Sequence, residues 1–460
     1  MDTPAVLLLL LFSVLLLTHY VKSLLDLRGK HVKTIQLTQA IEAMADDHEV
    51  AASFSNLFTI DGAGSWPPEA GHADSWPQAL QPYREIYFSL APLLSSGEPS
   101  VDDEVNQKRI DSFRQKYKSL LRDKVDLPQV QRLLNAAADG RWDVIPRHIY
   151  NAFYCCIASS RHAYRWAIIP VVKVAQLEKT VTLPDELEQP WTGLQKHFGC
   201  ESPGGNITSN LLTNFDQAGN YVYRINAERD EAIRSAEETF ARIFRGVETV
   251  GVAIYHEMIL AIVSFERNKR SACARHVMAV ADQLRLALKT YYDNMHNQKI
   301  PISVWMRYIQ GFYAWNAGYY DEQSEQWAIF DALSGNQVLL FQVLDAFLGL
   351  KPYLKPLDQE TTIPARQRAV CSAIAQHSFR ASLGKPASEA DLAIKKGFDS
   401  ILRQLRVFRS AHRGRSMKYV TAPAPERLPM MAGKSLLGFV MADSLAYLDQ
   451  FMLNRLNETV

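Results

Sequence analysis

The hydrophobic positions that follow residue 25 recur mainly three and four residues apart. Ile35–His48 and Asp111–Leu121 both show this spacing, which predicts amphipathic helices. No series of alternating strands with regular turn residues interrupts the pattern. We therefore predict an all-α fold. Further long helices are predicted over Arg275–Tyr292, Pro301–Tyr313, Asn336–Tyr353 and Asp391–Arg409.

One predicted helix, Val250–Phe265, is apolar on nearly every side, which predicts that it is buried all round. A polar stretch between Phe215 and Glu228 separates two blocks of predicted helices. We therefore divide the chain into a hydrophobic N-terminal segment (1–25), a smaller helical domain (26–222) and a larger helical domain (223–460).

The N-terminal segment is hydrophobic enough to interact with a membrane. Residues 5–17 read AVLLLLLFSVLLL, and with the apolar residues up to Leu25 the segment approaches the length of about 20 that a spanning helix needs. Basic residues follow it, beginning with Lys22. The positive-inside rule then predicts a retained, endoplasmic reticulum-like anchor with the rest of the chain in the cytosol. A cleaved signal peptide, giving a secreted or lumenal protein, is the alternative.

Composition and charge exclude several classes of function. Lys and Arg number 50 and Asp and Glu 49, so the formal net charge is +1, which argues against a nucleic-acid-binding surface. The five cysteines include no CxxC pair, which argues against a disulfide scaffold and a cysteine-rich zinc site. The chain also lacks the phosphate-binding loop, the HExxH metalloprotease motif and the GxSxG nucleophile elbow.

His412 is the histidine with the most informative position. It continues an apolar stripe on a predicted amphipathic helix, and a neutral imidazole there needs a partner for each ring nitrogen. Metal ligation is one solution, and a core histidine hydrogen-bonded to its neighbours is the other. The residues of the stripe before it are Phe398, Ile401, Leu402, Leu405 and Phe408.

Four other residues could carry chemistry. Arg307 lies among aromatic residues, where it could bind a substrate carboxylate or extend to the surface. His256 and Glu257 could form a general-base pair or a hydrogen-bonded polar pair in the core. Ser334 could cap the helix that follows it or place a hydroxyl close to a ligand.

Four stretches, taken in order, resemble segments of the indoleamine 2,3-dioxygenase superfamily of haem proteins. Gly204–Phe215 resembles the distal-side helix, and Ile302–Gly311 resembles the helix whose arginine binds the substrate carboxylate. Ser334–Gly349 resembles the small-residue loop over the haem with its following helix. Leu405–Val420 resembles the segment that carries the proximal haem histidine. The resemblance extends from about Ile168 to Leu437.

The resemblance implies that the smaller domain contributes the distal pocket and that the larger domain binds haem b. His412 would ligate the haem iron, and Ser334 and Gly335 would lie beside the haem. Arg307 and Ser334 would be the catalytic residues. The residues implied to line the substrate pocket are Asn210, Leu211, Val250, Ala253 and Arg307.

The function implied is a haem-dependent oxygenase. It would act with O₂ on an indole, a tryptophan derivative or another aromatic amino-acid-like molecule in specialised metabolism, and the need for an electron donor is left open. The chain departs from the dioxygenases at residues 431–436, which read MAGKSL in place of a Gly-Thr-Gly-Gly-Thr loop, and at Val250 and Ala253. Ser202–Asn206 also resembles the monodechloroaminopyrrolnitrin synthase branch. The alternatives are therefore a haem monooxygenase or ring-rearranging enzyme, and a non-catalytic haem- or small-molecule-binding protein.

Overall fold

The computed structural model describes residues 34–178, 180–315, 333–420, 449–450 and 452–459, and the backbone of four two-residue strands. The described chain is helical, which confirms the all-α prediction. Its strands form two short antiparallel pairs, Tyr320–Asp321 with Gln326–Trp327 and Met430–Met431 with Lys434–Ser435. The N-terminal segment 1–25 lies outside the described residues.

The first half of the described chain is built from eight helices, and local signals set many of their ends. Asp102 accepts a hydrogen bond from the first turn of the helix Asp103–Lys124, and Gly199, with φ of +63°, ends the helix Asp185–Phe198. The helices are α1 (34–42), α2 (Glu49–Ile60), α3 (Gln81–Leu94), α4 (Asp103–Lys124), α5 (Leu127–Ala138), α6 (Arg147–Trp166), α7 (Lys173–Leu177) and α8 (Asp185–Phe198).

The second half contains the three longest core helices and several short ones. The predicted Pro301–Tyr313 helix is instead one α-helical turn followed by a π-helical turn at Trp305–Ile309. The predicted Asn336–Tyr353 helix ends early because Gly349 adopts φ of +66°. The helices are α9 (Glu231–Glu266), α10 (Arg270–Tyr292), α11 (Ile302–Val304), α12 (Leu339–Phe347), α13 (Pro356–Thr362), α14 (Ala365–Gln376) and α15 (Glu389–Val420).

Helices α9, α10 and α15 lie side by side. Glu257 of α9 pairs with His276 of α10, while Gly246 lies against Thr290, so α9 and α10 are antiparallel. Helix α15 runs parallel to α10, because the Gln404 side chain donates to the carbonyl of Ala281 at 2.9 Å and His412 meets Tyr291 further along both helices. The predicted apolar stripe of α15, from Phe398 to Phe408, is buried throughout.

Helix α9 corrects the prediction of burial on all sides. A stripe that includes Val250, Ala253 and Glu257 is only half-buried. Among the described residues, α9 is long and apolar enough to cross a membrane by length and composition, and 56% of its most apolar window is buried in the protein. Since the core helix of a soluble protein meets the same criterion, this is only weak evidence for membrane insertion.

The buried apolar residues of the two predicted domains form one contiguous cluster, which includes Ile41 near its start and Tyr419 near its end. The division at residue 222 stays a prediction. In the first half, α6 is the most enclosed helix, because every side chain from Ile149 to Trp166 is buried. His162 of this helix contacts the backbone of Gly204 and of Phe312.

Candidate functional site

His412 lies half-buried on α15 between two hydroxyl groups. The Tyr291 hydroxyl is 2.8 Å from its Nδ1, and the Ser416 Oγ is 3.1 Å from its Nε2. The ring of Phe408 stacks on the imidazole with a centroid separation of 5.8 Å. Phe408, His412 and Ser416 are four residues apart and share one helix face, whereas the C-terminal end of α10 supplies Tyr291.

The imidazole of His412 is neutral at physiological pH. Desolvation of the ring, together with the positive charge of Arg415, lowers the pKa of His412 to about 4. Desolvation also raises the pKa of Tyr291, which therefore remains a phenol. A hydroxyl can donate or accept a hydrogen bond, so either nitrogen of His412 can carry the lone pair.

Both nitrogens of His412 are hydrogen-bonded to neighbouring side chains, which is the second of the two solutions considered for this residue, and its role as a haem ligand stays a prediction. An iron-ligating imidazole offers the lone pair of one nitrogen and donates the proton of the other to an oxygen. In His412, the Nδ1 proton would go to the Tyr291 oxygen and Nε2 would face the iron. The Ser416 hydroxyl now beside Nε2 is on a rotatable bond and can turn away.

Helix α12 packs against α15 next to His412. Phe341 stacks on Phe408 with ring centroids 4.9 Å apart. The buried carboxylate of Asp345 accepts hydrogen bonds from Arg409, at 2.6 Å, and from Arg455. Asp345 thereby joins α12, α15 and the C-terminal helical segment in one buried ion network.

Glu248 is a buried residue that the sequence analysis missed. Its carboxylate accepts hydrogen bonds from Trp66 Nε1 and the Tyr255 hydroxyl, both at 2.7 Å, and from the Leu340 amide at 3.2 Å. Burial raises the pKa of Glu248 despite these donors. These contacts join α9 to the start of α12. The sequence feature that could have identified Glu248 is a single acidic residue in an otherwise apolar part of a helix.

Ser334 and Gly335 form the turn before α12. Ser334 Oγ accepts a hydrogen bond from the Asn336 amide at 3.3 Å, so it does cap a helical turn. Gly335 is exposed, and no atom of the described residues lies within 4 Å of where a Cβ would be. Gln337 accepts from the Ile207 amide at 3.0 Å and so links the turn to the Gly204–Phe215 stretch.

Asn210 and Leu211 lie in a buried π-helical turn, Thr208–Leu212. Asn210 donates to the Gly204 carbonyl at 3.3 Å and accepts from Ser209 at 2.5 Å. Rare π-helical turns are frequent at functional sites. The side chain of Asn210 is nevertheless occupied by these local hydrogen bonds, and its predicted contact with substrate stays a prediction.

Val250 and Ala253 lie along the groove between α9 and α10. Their stripe begins at Gly246, which lies against Thr290, and ends at Glu257, whose carboxylate accepts a 2.7 Å hydrogen bond from His276. This geometry directs the two residues toward α10 and gives no direct support to the pocket prediction. Glu257 is therefore hydrogen-bonded to His276 across the α9–α10 contact.

Arg307 lies at the surface in the Trp305–Ile309 turn. Its guanidinium pairs with Glu98 at 3.1 Å, and its side chain is 35% exposed. Arg229 also pairs with Glu98, at 2.7 Å, and the Tyr308 hydroxyl donates to it at 3.2 Å. This placement matches the surface alternative. A role in binding a substrate carboxylate stays a prediction and requires Arg307 to exchange Glu98 for the substrate.

Helix α6 contacts the Gly204–Phe215 stretch and the backbone just after the Ile302–Gly311 stretch, which the sequence analysis did not foresee. The two nitrogens of His162 lie 2.7 Å from the carbonyls of Gly204 and Phe312. Trp166 Nε1 donates to Phe312 at 3.1 Å and to Ala314 at 2.9 Å. One helix therefore binds the backbone of the Gly204 turn and of the segment after Trp305–Ile309.

No protein-family model matches the chain, and no curated protein matches it. The resemblance to haem proteins therefore rests only on the sequence stretches described above. The departure at residues 431–436 lies outside the residues whose side chains the structure describes.

Proposed function

We propose that this protein is a haem-dependent oxygenase that acts with O₂ on an indole or another aromatic amino-acid-like substrate. The observation that carries the proposal is the position of His412, whose neutral ring lies between the Tyr291 hydroxyl at Nδ1 and the rotatable Ser416 hydroxyl at Nε2. The sequence resemblance supplies the cofactor class, haem b.

Haem with one imidazole ligand supplies an open iron position at which O₂ can bind. The protein's own residues determine the rest. Tyr291 orients the His412 ring through Nδ1, and Phe408 stacks on that ring.

A haem-loading experiment tests the proposed ligand. The purified full-length chain is expected to bind one haem with a Soret band, and His412→Ala is expected to abolish tight binding. His296→Ala is the matched control, because His296 is half-buried shortly after α10 and its ring lies 3.1 Å from the nearby Asp293 carbonyl. An unchanged Soret band and unchanged ligand-field features in His412→Ala would exclude His412 as the ligand.

Tyr291→Phe tests the hydrogen bond to the ligand without removing the ring. Loss of an outer partner typically lowers metal affinity by about 10–100-fold, and we expect a haem affinity loss in that range. Unchanged affinity would show that Tyr291 does not orient His412 in the loaded protein.

A turnover assay separates dioxygenation from the other functions. Reduced, haem-loaded protein is supplied with O₂ and tryptophan, and the formation of N-formylkynurenine is measured. The Ser202–Asn206 resemblance favours a second candidate, a monooxygenase or ring-rearranging enzyme. With isotopically labelled O₂, dioxygenation places two labelled oxygen atoms in the product, and monooxygenation places one.

We propose further that the N-terminal segment retains the protein at a membrane with the catalytic part in the cytosol. The sequence of residues 5–17 and the basic residues after it support this orientation. Protease treatment of intact microsomes is expected to degrade the protein. Protection of the full chain would favour the lumenal alternative.

A further inference from the structure

Two histidines and a glutamate from three separate parts of the chain meet at the end of α9. His48 Nε2 lies 3.0 Å from one carboxylate oxygen of Glu266, and His377 Nδ1 lies 2.6 Å from the other. One ligand-type atom from each residue falls within 4.8 Å of the other two. The rings of His48 and His377 are 4.7 Å apart.

Three helix ends fix these side chains. His48 is the residue before α2, Glu266 is the last residue of α9, and His377 follows α14. His48 is nearly enclosed, with 9% of its side chain exposed, whereas Glu266 is 41% exposed. The cluster is therefore enclosed by protein on the His48 side and open to solvent on the Glu266 side.

We propose that His48, Glu266 and His377 bind a divalent transition-metal ion, with Zn²⁺ as the best fit. Imidazole nitrogens together with a carboxylate suit Zn²⁺ and its neighbours, whereas Ca²⁺ and Mg²⁺ prefer oxygen ligands alone. Ligand atoms around a tetrahedral Zn²⁺ are about 3.3 Å apart, given bonds of about 2.0–2.1 Å. The two histidine–carboxylate separations would have to lengthen by a few tenths of an ångström to accept the ion, and the three ligand atoms already lie within 4.8 Å of one another.

Glu49 completes the outer shell of this site. Its carboxylate lies 3.3 Å from Nε2 of His377, the nitrogen that faces away from Glu266. A metal-bound histidine characteristically donates its second N–H to a carboxylate, which fixes the ring and makes the ligand more basic. Glu49 would hold His377 in this way, with Nδ1 toward the ion.

Metal binding requires defined proton movements. His377 releases its Nδ1 proton to solvent. In the metal-free protein, Nδ1 of His48 accepts a hydrogen bond from the Val50 amide at 3.1 Å, so the ring proton of His48 is on Nε2. The ion takes the Nε2 position, the proton of His48 moves to Nδ1, and the hydrogen bond from Val50 is lost.

The proposed metal site is separate from the His412 region and does not depend on the proposed function. Gly246, which lies against α10 next to Tyr291, and Glu266 are 20 residues apart on one helix. At 1.5 Å per residue this distance is about 30 Å. The ion would join α2, α9 and α14, so the expected effect of binding is stabilisation.

The test uses the detergent-solubilised full-length chain, treated with EDTA, dialysed and titrated with ZnCl₂ against a chromophoric chelator. We expect one Zn²⁺ per chain and a higher melting temperature. His48→Gln and His377→Gln are each expected to weaken binding by at least about 100-fold, and Glu49→Gln by about 10–100-fold. His276→Gln is the matched control, because His276 is also paired with a glutamate, Glu257.

Two further measurements keep the result decisive. Intense d–d absorption after addition of Co²⁺ to the unaltered chain would report tetrahedral coordination, even if a variant failed to fold. His412→Ala is expected to retain Zn²⁺ binding, which separates this site from the haem proposal. Absence of Zn²⁺ binding to the unaltered chain would overturn the proposal. So would an unchanged Zn²⁺ affinity in His48→Gln and His377→Gln variants that circular dichroism shows to be folded, because the three residues would then form only a hydrogen-bonded cluster.

Discussion

His162 and His412 lie in regions of similar helical architecture but opposite hydrogen-bonding chemistry. Both nitrogens of the buried His162 face backbone carbonyl oxygens at 2.7 Å, one from Gly204 and one from Phe312. Both nitrogens of His412 face hydroxyl groups, from Tyr291 and Ser416. A carbonyl can only accept a hydrogen bond, whereas a hydroxyl can donate or accept.

The difference determines what each ring can do. Carbonyls on both sides of His162 can only accept hydrogen bonds, and burial lowers the pKa of this ring to about 4. The neutral, buried ring therefore donates to one carbonyl and turns its lone pair toward the other. Hydroxyls beside His412 adjust to whichever nitrogen is unprotonated, so this ring can bind an ion without leaving a neighbour unsatisfied. The surroundings of His162 are therefore those of a structural residue, and those of His412 suit a ligand.

The largest expected contrast is in stability. His162→Leu is expected to lower the free energy of unfolding by about 2–3 kcal/mol, because the buried carbonyls of Gly204 and Phe312 lose the imidazole and keep only Asn210 and Trp166 as donors. His412→Leu is expected to lower it by only about 1 kcal/mol, since the Tyr291 and Ser416 hydroxyls can reorient. Urea unfolding of the haem-free proteins measures both values, and equal losses would contradict the comparison.

His72 lies between the two cases and gives a pH test. Its Nε2 donates to the Thr213 carbonyl at 2.6 Å, and its buried Nδ1 has no hydrogen-bond partner among the described residues. Burial lowers the pKa of His72 from 6.5 to about 4. The unfolded chain therefore binds the proton first as the pH falls, so His72 stabilises the fold above pH 6.5 and this contribution is lost toward pH 4.

At about 1.4 kcal/mol per pH unit, the loss from His72 approaches about 3 kcal/mol. Unfolding by urea at a series of pH values measures it. His72→Gln keeps a donor for Thr213 but does not titrate, so its stability should decline less between pH 6.5 and 4. Parallel pH profiles for the two proteins would show that His72 is protonated equally in both states.

The smallest expected effect concerns Arg307. Because its ion pair with Glu98 is partly exposed, Arg307→Leu is expected to change the free energy of unfolding by less than about 1 kcal/mol. Thermal or urea unfolding measures this change. A loss of about 2–4 kcal/mol in affinity for a carboxylate substrate would instead assign Arg307 to substrate binding, as the resemblance implies.

The sequence predicted what depends on neighbouring residues along the chain. The 3.6-residue period placed Phe398, Leu405 and His412 on one face of α15, and Ser334 caps its turn as its residue type suggests. Both properties arise within one or two helical turns.

Contacts between distant segments could not be read from the period. Tyr291 and His412 are 121 residues apart, and His48 and Glu266 are 218 apart. Which helix faces meet depends on the packing of whole helices, and a single sequence does not determine that. The π-helical turn at Trp305–Ile309 was also missed. Over only five residues, the pattern of apolar and polar positions does not distinguish a π-helical turn from an α-helical turn.

The position of α6 has a consequence for the motions of this protein. His162 and Trp166 both bind the Phe312 carbonyl, and His162 also binds that of Gly204. A fluctuation that frees one stretch must first release an imidazole shared with the other. The Gly204 turn and the segment around Phe312 should therefore open as one cooperative unit, with matched rates of amide hydrogen exchange.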